Sequence, residues 1–228
     1  MTKEPDKTSK ALSLSVYKKI LDKLISCEYA PGSQINELQL AEEYNVSRTP
    51  VREAVNRLES QGYLKVLPKK GIYVNDITIK DVLQVFQVRI EMEPIALRLS
   101  APYLDIAKLI DLKQKYIDSR DSNMDYLTHY YIDMEMHHYF VDLCGNRYII
   151  EMMNRVLNDN LRITIESKQD HVLVHDANQE HIDILDCLIR QEPIEHAMEL
   201  LEKHLRICCL VALERNRTNA KERGKLPV

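Results

Sequence analysis

A mainly α fold is predicted by three features of the 228-residue chain. It holds five glycines in all. Apolar residues recur at spacings of three and four along most of its length, and the one clearly extended stretch is short, lying around Pro68–Gly71. Domains cluster near about 100–150 residues, so the length suits two of them.

The elements follow in order. Residues 1–13 are polar and lysine-rich, contain Pro5, and are expected to form a flexible arm. Leu14, Tyr17, Ile20, Leu21, Leu24 and Ile25 then share one helical face, and the turn dipeptide Pro31-Gly32 follows that helix. A second helix is expected from Glu37 to Tyr44, with Leu40, Ala41 and Tyr44 inward. Asn45 tolerates the left-handed conformation that a sharp turn requires. Ser47 is a suitable N-cap for a third helix, and Pro50 fits its first turn, where no internal N–H is needed. On that helix Val51, Ala54, Val55 and Leu58 form the core face. Leu64–Leu67, a Pro-Lys-Lys-Gly turn and Ile72–Val74 read as a β-hairpin with a basic tip. Two helices, a tight turn, a third helix and a basic hairpin make residues 14–76 a winged helix-turn-helix.

That pattern explains why a chain of formal charge −4 places Arg48, Arg52 and Arg57 on one short helix. Net charge does not do so: residues 1–76 carry 12 Lys and Arg against 10 Asp and Glu, and the rest 19 against 25. Any basic footprint is local. Arg48, Thr49, Arg52 and Asn56 lie on one exposed face, suited to a DNA major groove, where Arg reads guanine and Asn reads adenine. Lys69 and Lys70 on the hairpin, with Lys65, can neutralise phosphates. A basic helix face taken singly is more often only solvated; the surrounding turn and wing favour double-stranded DNA as the partner.

Beyond residue 77 the periodicity predicts about six antiparallel helices up to residue 217, with residues 218–228 as a flexible tail. Here the informative residues are polar ones on apolar faces. Asp133 and His137, four apart, fall within a stripe containing Tyr130, Met134, Phe140 and Val141. His181 shares a stripe with Ile184, Leu185 and Leu188, and His204 shares one with Leu200, Leu201 and Cys208. A buried carboxylate and three imidazoles need a common reason, and one divalent transition metal per chain (Zn, Ni, Mn or Fe) supplies it. The other five histidines are read as non-ligands: His129, His138 and His196 off the stripe centres, His171 and His175 in a loop.

Five cysteines form no CxxC pair, and no apolar run approaches membrane-spanning length, so a reduced, cytoplasmic protein without a membrane partner is expected.

The segment PGSQINELQLAEEYNVSRTPVREAVNRLESQGYLKVLPKKGIYV resembles the N-terminal domain of GntR-family bacterial transcription regulators. The resemblance implies that Arg48, Thr49 and Arg52 contact DNA and that Gly71 enters the minor groove. Leu38 stands where family members usually carry arginine, which puts one family contact in doubt. VFQVRIEMEPIALRLSA, DMEMHHYFVDLCGN, EHIDILDCLI and AMELLEKHL resemble the FadR-type effector domain called FCD. This second resemblance implies a metal set of Asp133, His137, His181 and His204, and a carboxylate effector held by Arg89. Against that role for Arg89 stands an ion pair with Glu91 or Glu93. The combined reading is a homodimeric, ligand-responsive transcription regulator, a repressor and not an enzyme, answering to a small carboxylate. The alternatives are a metal-sensing regulator and, further off, a metal-dependent hydrolase.

Overall fold

Pro31-Gly32 and the residues around Asp76 divide the helical pattern, and the chain forms two units, Met1–Ile77 and Thr78–Val228. The computed structural model describes residues 7–120, 125–167 and 171–222.

In the first unit α1 (Lys7–Ile25), α2 (Glu37–Glu43) and α3 (Arg48–Ser60) enclose one core. Val16, Ile20 and Leu24 of α1 are buried with Val51, Ala54, Val55 and Leu58 of α3 and Leu40 of α2. Helix α1 starts within the expected arm, because no glycine or proline separates Pro5 from Ile25. Asn36 caps α2, its side-chain oxygen accepting from the Leu38 N–H at 2.8 Å. Asn45 takes the left-handed conformation, φ 52°. Ser47 occupies the N-cap position of α3 without making a side-chain cap hydrogen bond.

The wing has three strands rather than two. β1 (Gln34–Ile35), β2 (Leu64–Leu67) and β3 (Gly71–Val74) form an antiparallel sheet in the order β1-β3-β2. Leu64 pairs with Val74, and Gln34 pairs with Tyr73. A two-residue strand is too short to leave a period in the sequence, so β1 was not expected.

The second unit is built from α4 (Ile79–Ser100), α5 (Ile106–Arg120), α6 (Tyr126–Leu143), α7 (Arg147–Ser167), α8 (His171–Ile189) and α9 (Ile194–Glu222), with a 3-10 turn at Ala101–Tyr103. Thr78 and Asp81 form a capping box that fixes the start of α4. Helix α4 packs chiefly on α9, α5 on α8, and α6 on α7. Leu97, Leu109, Leu112, Met136, Phe140, Leu185, Leu201 and Leu205 make the core. Two helices outrun their expected limits. α8 opens at His171, so His171 and His175 lie on a helix instead of in a loop, and α9 continues to Glu222, into the expected tail. Neither stretch contains glycine or proline to stop it.

Candidate nucleic-acid interface and metal centre

The two charged faces are built differently. On α3, Arg48, Thr49, Arg52 and Asn56 are all exposed, as are Lys69 and Lys70 on the wing. Glu37, at the start of α2, accepts from both arginines through one oxygen: 2.7 Å from Arg48 Nε and 2.8 Å from Arg52 Nε. Burial works against ionising Glu37, but the two guanidinium groups outweigh it and hold the carboxyl below its usual range. Glu37 therefore sets both guanidinium groups against one point before any partner arrives. Leu38 beside it is exposed, a large apolar side chain facing solvent next to the arginines' carboxylate.

The wing tip needs its glycine. Gly71 has φ +108°, and a Cβ there would come within 2.5 Å of Gln34 Nε2. That amide nitrogen donates to the Lys70 carbonyl at 2.8 Å, tying β1 to the tip. A side chain at 71 would strain the backbone and displace Gln34.

In the second unit three imidazoles converge, one each from α6, α8 and α9. His137 Nε2 lies 3.2 Å from His181 Nε2, which lies 3.1 Å from His204 Nε2. All three rings are buried. The ligand atoms of this group lie within 4.8 Å of one another. Four ligands around a zinc ion at its usual bond length would stand about 3.3 Å apart.

Carboxylates behind the rings fix which nitrogen is free. Glu93 Oε2 is 2.6 Å from His137 Nδ1, and Glu180 Oε2 is 2.7 Å from His204 Nδ1. An ionised carboxylate only accepts, so each Nδ1 carries the proton in its bond and each Nε2 turns a lone pair toward His181. Lone pairs at this spacing repel unless a cation or proton sits among them. In the chain alone His204 takes that proton: against burial, the Cys208 sulfur and Glu180 raise it to about 10. Burial first, and then the charges of the His204 and His137 rings and the Arg89 guanidinium, disfavour a proton on His181 and push it well down, while burial, only partly offset by Glu93, lowers His137. The donor set fits a borderline divalent ion such as zinc.

Asp133 stands apart from this trio. Its carboxylate lies 3.5 Å from His181 Nδ1, a ring nitrogen that is buried without a hydrogen bond. Tyr116 stacks on the same ring, with centroids 4.6 Å apart, and its hydroxyl donates to the Asp133 carbonyl at 3.1 Å.

Arg89 is buried and ion-paired through Nε to Glu93, one turn along α4. Its Nη2 is buried with no hydrogen-bond partner. Burial opposes ionisation of Glu93, but Arg89 first and His137 second hold it at about 2. Glu93 thus joins the guanidinium to the His137 ring through its two oxygens. Sequence reading offered Glu93 only as a competitor for Arg89 and missed its second role. The signal for Glu180 was slighter still, a carboxylate one residue before His181.

The comparisons with known proteins agree with this architecture. The model of bacterial regulatory proteins of the gntR family matches residues 12–74, and the FCD domain model matches residues 84–207. The chain is 28% identical over 149 residues to the uncharacterized HTH-type transcriptional regulator YdhC of Bacillus subtilis, covering 63% of this chain and 65% of that one. It is 28% identical over 186 residues to the Nta operon transcriptional regulator of Aminobacter aminovorans, covering 79% and 86%. The solved structure of Escherichia coli McbR/YncC superposes with a TM-score of 0.76 at 19% identity, over 90% of this chain and 98% of that one, a likeness of fold. These relatives are transcription regulators and not enzymes. Among the described residues no helix is long and apolar enough to cross a membrane. The chain belongs to the GntR family of bacterial transcription regulators, with a winged helix-turn-helix head and an FCD domain.

Proposed function

We propose that the chain is a homodimeric repressor whose operator affinity depends on a metal-supported carboxylate site in the helical unit. The observation that carries this reading is the convergence of three Nε2 atoms whose rings are held from behind, two of them by carboxylates. His137, His181 and His204 would hold the ion through Nε2, and Asp133 would join them as the carboxylate ligand by turning away from His181 Nδ1. When bound, the ion supplies a positive charge and an open coordination position for an anionic effector.

Everything else is done by the chain's own groups. Glu93 and Glu180 keep Nδ1 of His137 and His204 protonated and so keep Nε2 free. Tyr116 holds the His181 ring plane. Arg89, with Nη2 unpaired and its position fixed by Glu93, offers a guanidinium edge to an effector carboxylate. In the head, Arg48, Thr49, Arg52 and Asn56 read bases, while Lys69, Lys70 and the Gly71 wing tip engage phosphates and minor groove. A homodimer presents two such heads to a palindromic operator in the cytoplasm.

The test is operator binding by the full chain, followed by fluorescence anisotropy, with and without a chelator and across a panel of small hydroxy acids. At least one acid should release the operator from the metal-loaded protein. Arg89→Leu, which strands the Glu93 carboxylate and is therefore assayed at a temperature where circular dichroism shows it folded, should keep operator binding and lose that response. Release by the same acid from Arg89→Leu at wild-type concentrations would remove Arg89 from the site. Operator release on adding metal alone would favour a metal sensor instead.

A further inference from the structure

A second cluster of metal-binding donors lies at the corner joining α8 to α9, apart from the three imidazoles. Gln191 takes φ +55° there, and the chain folds back through two amides: Gln191 N–H to the Leu188 carbonyl at 3.0 Å and Glu192 N–H to the Cys187 carbonyl at 3.1 Å. This turn carries Glu192 back over the last turn of α8. His196, in the first turn of α9, reaches the same carboxylate, its Nδ1 standing 2.7 Å from Glu192 Oε2. The Cys187 sulfur, a Glu192 oxygen and a His196 ring nitrogen all lie within 4.8 Å of one another.

We propose that Cys187, Glu192 and His196 form a second, thiolate-bearing site for a borderline divalent ion such as Zn(II). Sulfur, imidazole nitrogen and carboxylate oxygen are the three donor types zinc takes from proteins, and three protein ligands leave one position open. The side chains differ in access as a loadable site requires. Cys187 is buried at the base, whereas the His196 side chain is 52% exposed and Glu192 is half-buried, so an ion enters from solvent. Binding replaces protons one for one. The Cys187 thiol gives its proton to water as the sulfur–metal bond forms, and His196 passes the Nδ1 proton it shares with Glu192 through water to Nε2, which frees Nδ1 for the metal. Without an ion, burial and the Glu192 carboxylate both keep the thiol protonated. Arg190 competes for Glu192 from 3.9 Å, a long, exposed contact that water screens.

The position gives the site a consequence. α8 carries His181 and α9 carries His204, so an ion at their corner clamps the two helices that bring those rings together. Ion binding at the corner does not depend on the proposed carboxylate response and is measured separately from it.

Co(II) titration of the full-length chain, kept reduced and first stripped by chelation, reads both sites at once. The corner site gives a thiolate-to-cobalt charge-transfer band, while the histidine centre gives ligand-field bands alone. Wild type should show the charge-transfer band; Cys187→Ser should lose it together with one equivalent of bound cobalt, and Cys208→Ser should keep both. His196→Ala, an exposed position that leaves the core untouched, should weaken the band's titration, which covers the case that Cys187→Ser does not fold. A single equivalent carrying the band would support the corner site and overturn the histidine centre. Ligand-field bands with no charge transfer in wild type, or a band that disappears with Cys208→Ser and survives Cys187→Ser, would overturn the corner site.

Discussion

Both units of the molecule contain an arginine–glutamate pair, and the pairs differ in burial. In the head, the Arg48 and Arg52 side chains are 53% and 60% exposed and share Glu37. In the helical unit, Arg89 and Glu93 are 3% and 2% exposed. Water screens the first arrangement, and such exposed pairs contribute about 0–1 kcal/mol. The arginines of α3 can therefore exchange Glu37 for phosphate or guanine at little cost. No such exchange is open to the second pair, where removing one partner strands a charge in a dry interior. Glu37 holds its arginines at the surface, open to exchange; Glu93 is a fixed part of a buried network.

The largest expected effect breaks this contrast directly. Glu93→Gln leaves the Arg89 guanidinium buried without its counter-charge and should destabilise the helical unit by about 3–5 kcal/mol, nearly independent of salt. Urea unfolding measures it. Glu37→Gln should cost the head less than about 1 kcal/mol, and less again in high salt. Equal costs for the two substitutions would erase the distinction between the exposed and the buried carboxylate.

Next in size is the metal. An ion at about 100 times its dissociation constant should stabilise the helical unit by about 2.7 kcal/mol, since it binds the folded form. In a Cys187→Ser background, which removes the corner thiolate, His204→Ala should abolish that gain and His138→Ala should retain it. A thermal-unfolding series against zinc concentration separates the two. Stabilisation that survives His204→Ala would place the ion elsewhere.

For the head, Arg52→Ala should weaken operator binding by about 1–3 kcal/mol and leave the unfolding of the helical unit unchanged. Unaltered operator affinity at moderate salt would take α3 out of the DNA-reading role.

The smallest effect is acid sensitivity. Glu37 has its folded-state pKa depressed by Arg48 and Arg52 against the opposing effect of burial. Its contribution is therefore complete above the ordinary glutamate range near about 4.3 and is lost as pH falls through the lower folded value. The head should lose under about 1 kcal/mol over that window. Glu37→Gln should flatten this part of the profile; an unchanged acid limb would assign the loss to other carboxylates.

Much of the fold was legible because it is written in periods. The α3 core face, Val51, Ala54, Val55 and Leu58, is a helical stripe in the sequence and is buried in the structure. Asn45 announced its left-handed turn by residue type. β1 left no such trace, being two residues long and existing through its pairing with β3. The candidate metal centre divides along the same line. His137, His181 and His204 stood out as polar residues on apolar faces, and the fold brings their Nε2 atoms together. Glu93 and Glu180 did not stand out, because their role depends on which ring nitrogen they meet, a matter of packing between helices distant in sequence. Asp133 shows the converse: its spacing from His137 places it on the right face, yet side-chain direction puts its carboxylate against His181 Nδ1. His196, set aside as off-centre, lies in a different cluster that only the α8–α9 turn assembles.

The central claim is that three imidazoles from three helices hold one ion. Anomalous scattering from crystals of the full chain grown with zinc tests it most directly. The account predicts an anomalous peak bonded to Nε2 of His137, His181 and His204, with Glu93 and Glu180 still on the Nδ1 atoms of His137 and His204. Crystals in which zinc is bound at other residues while no peak lies between these rings would contradict it.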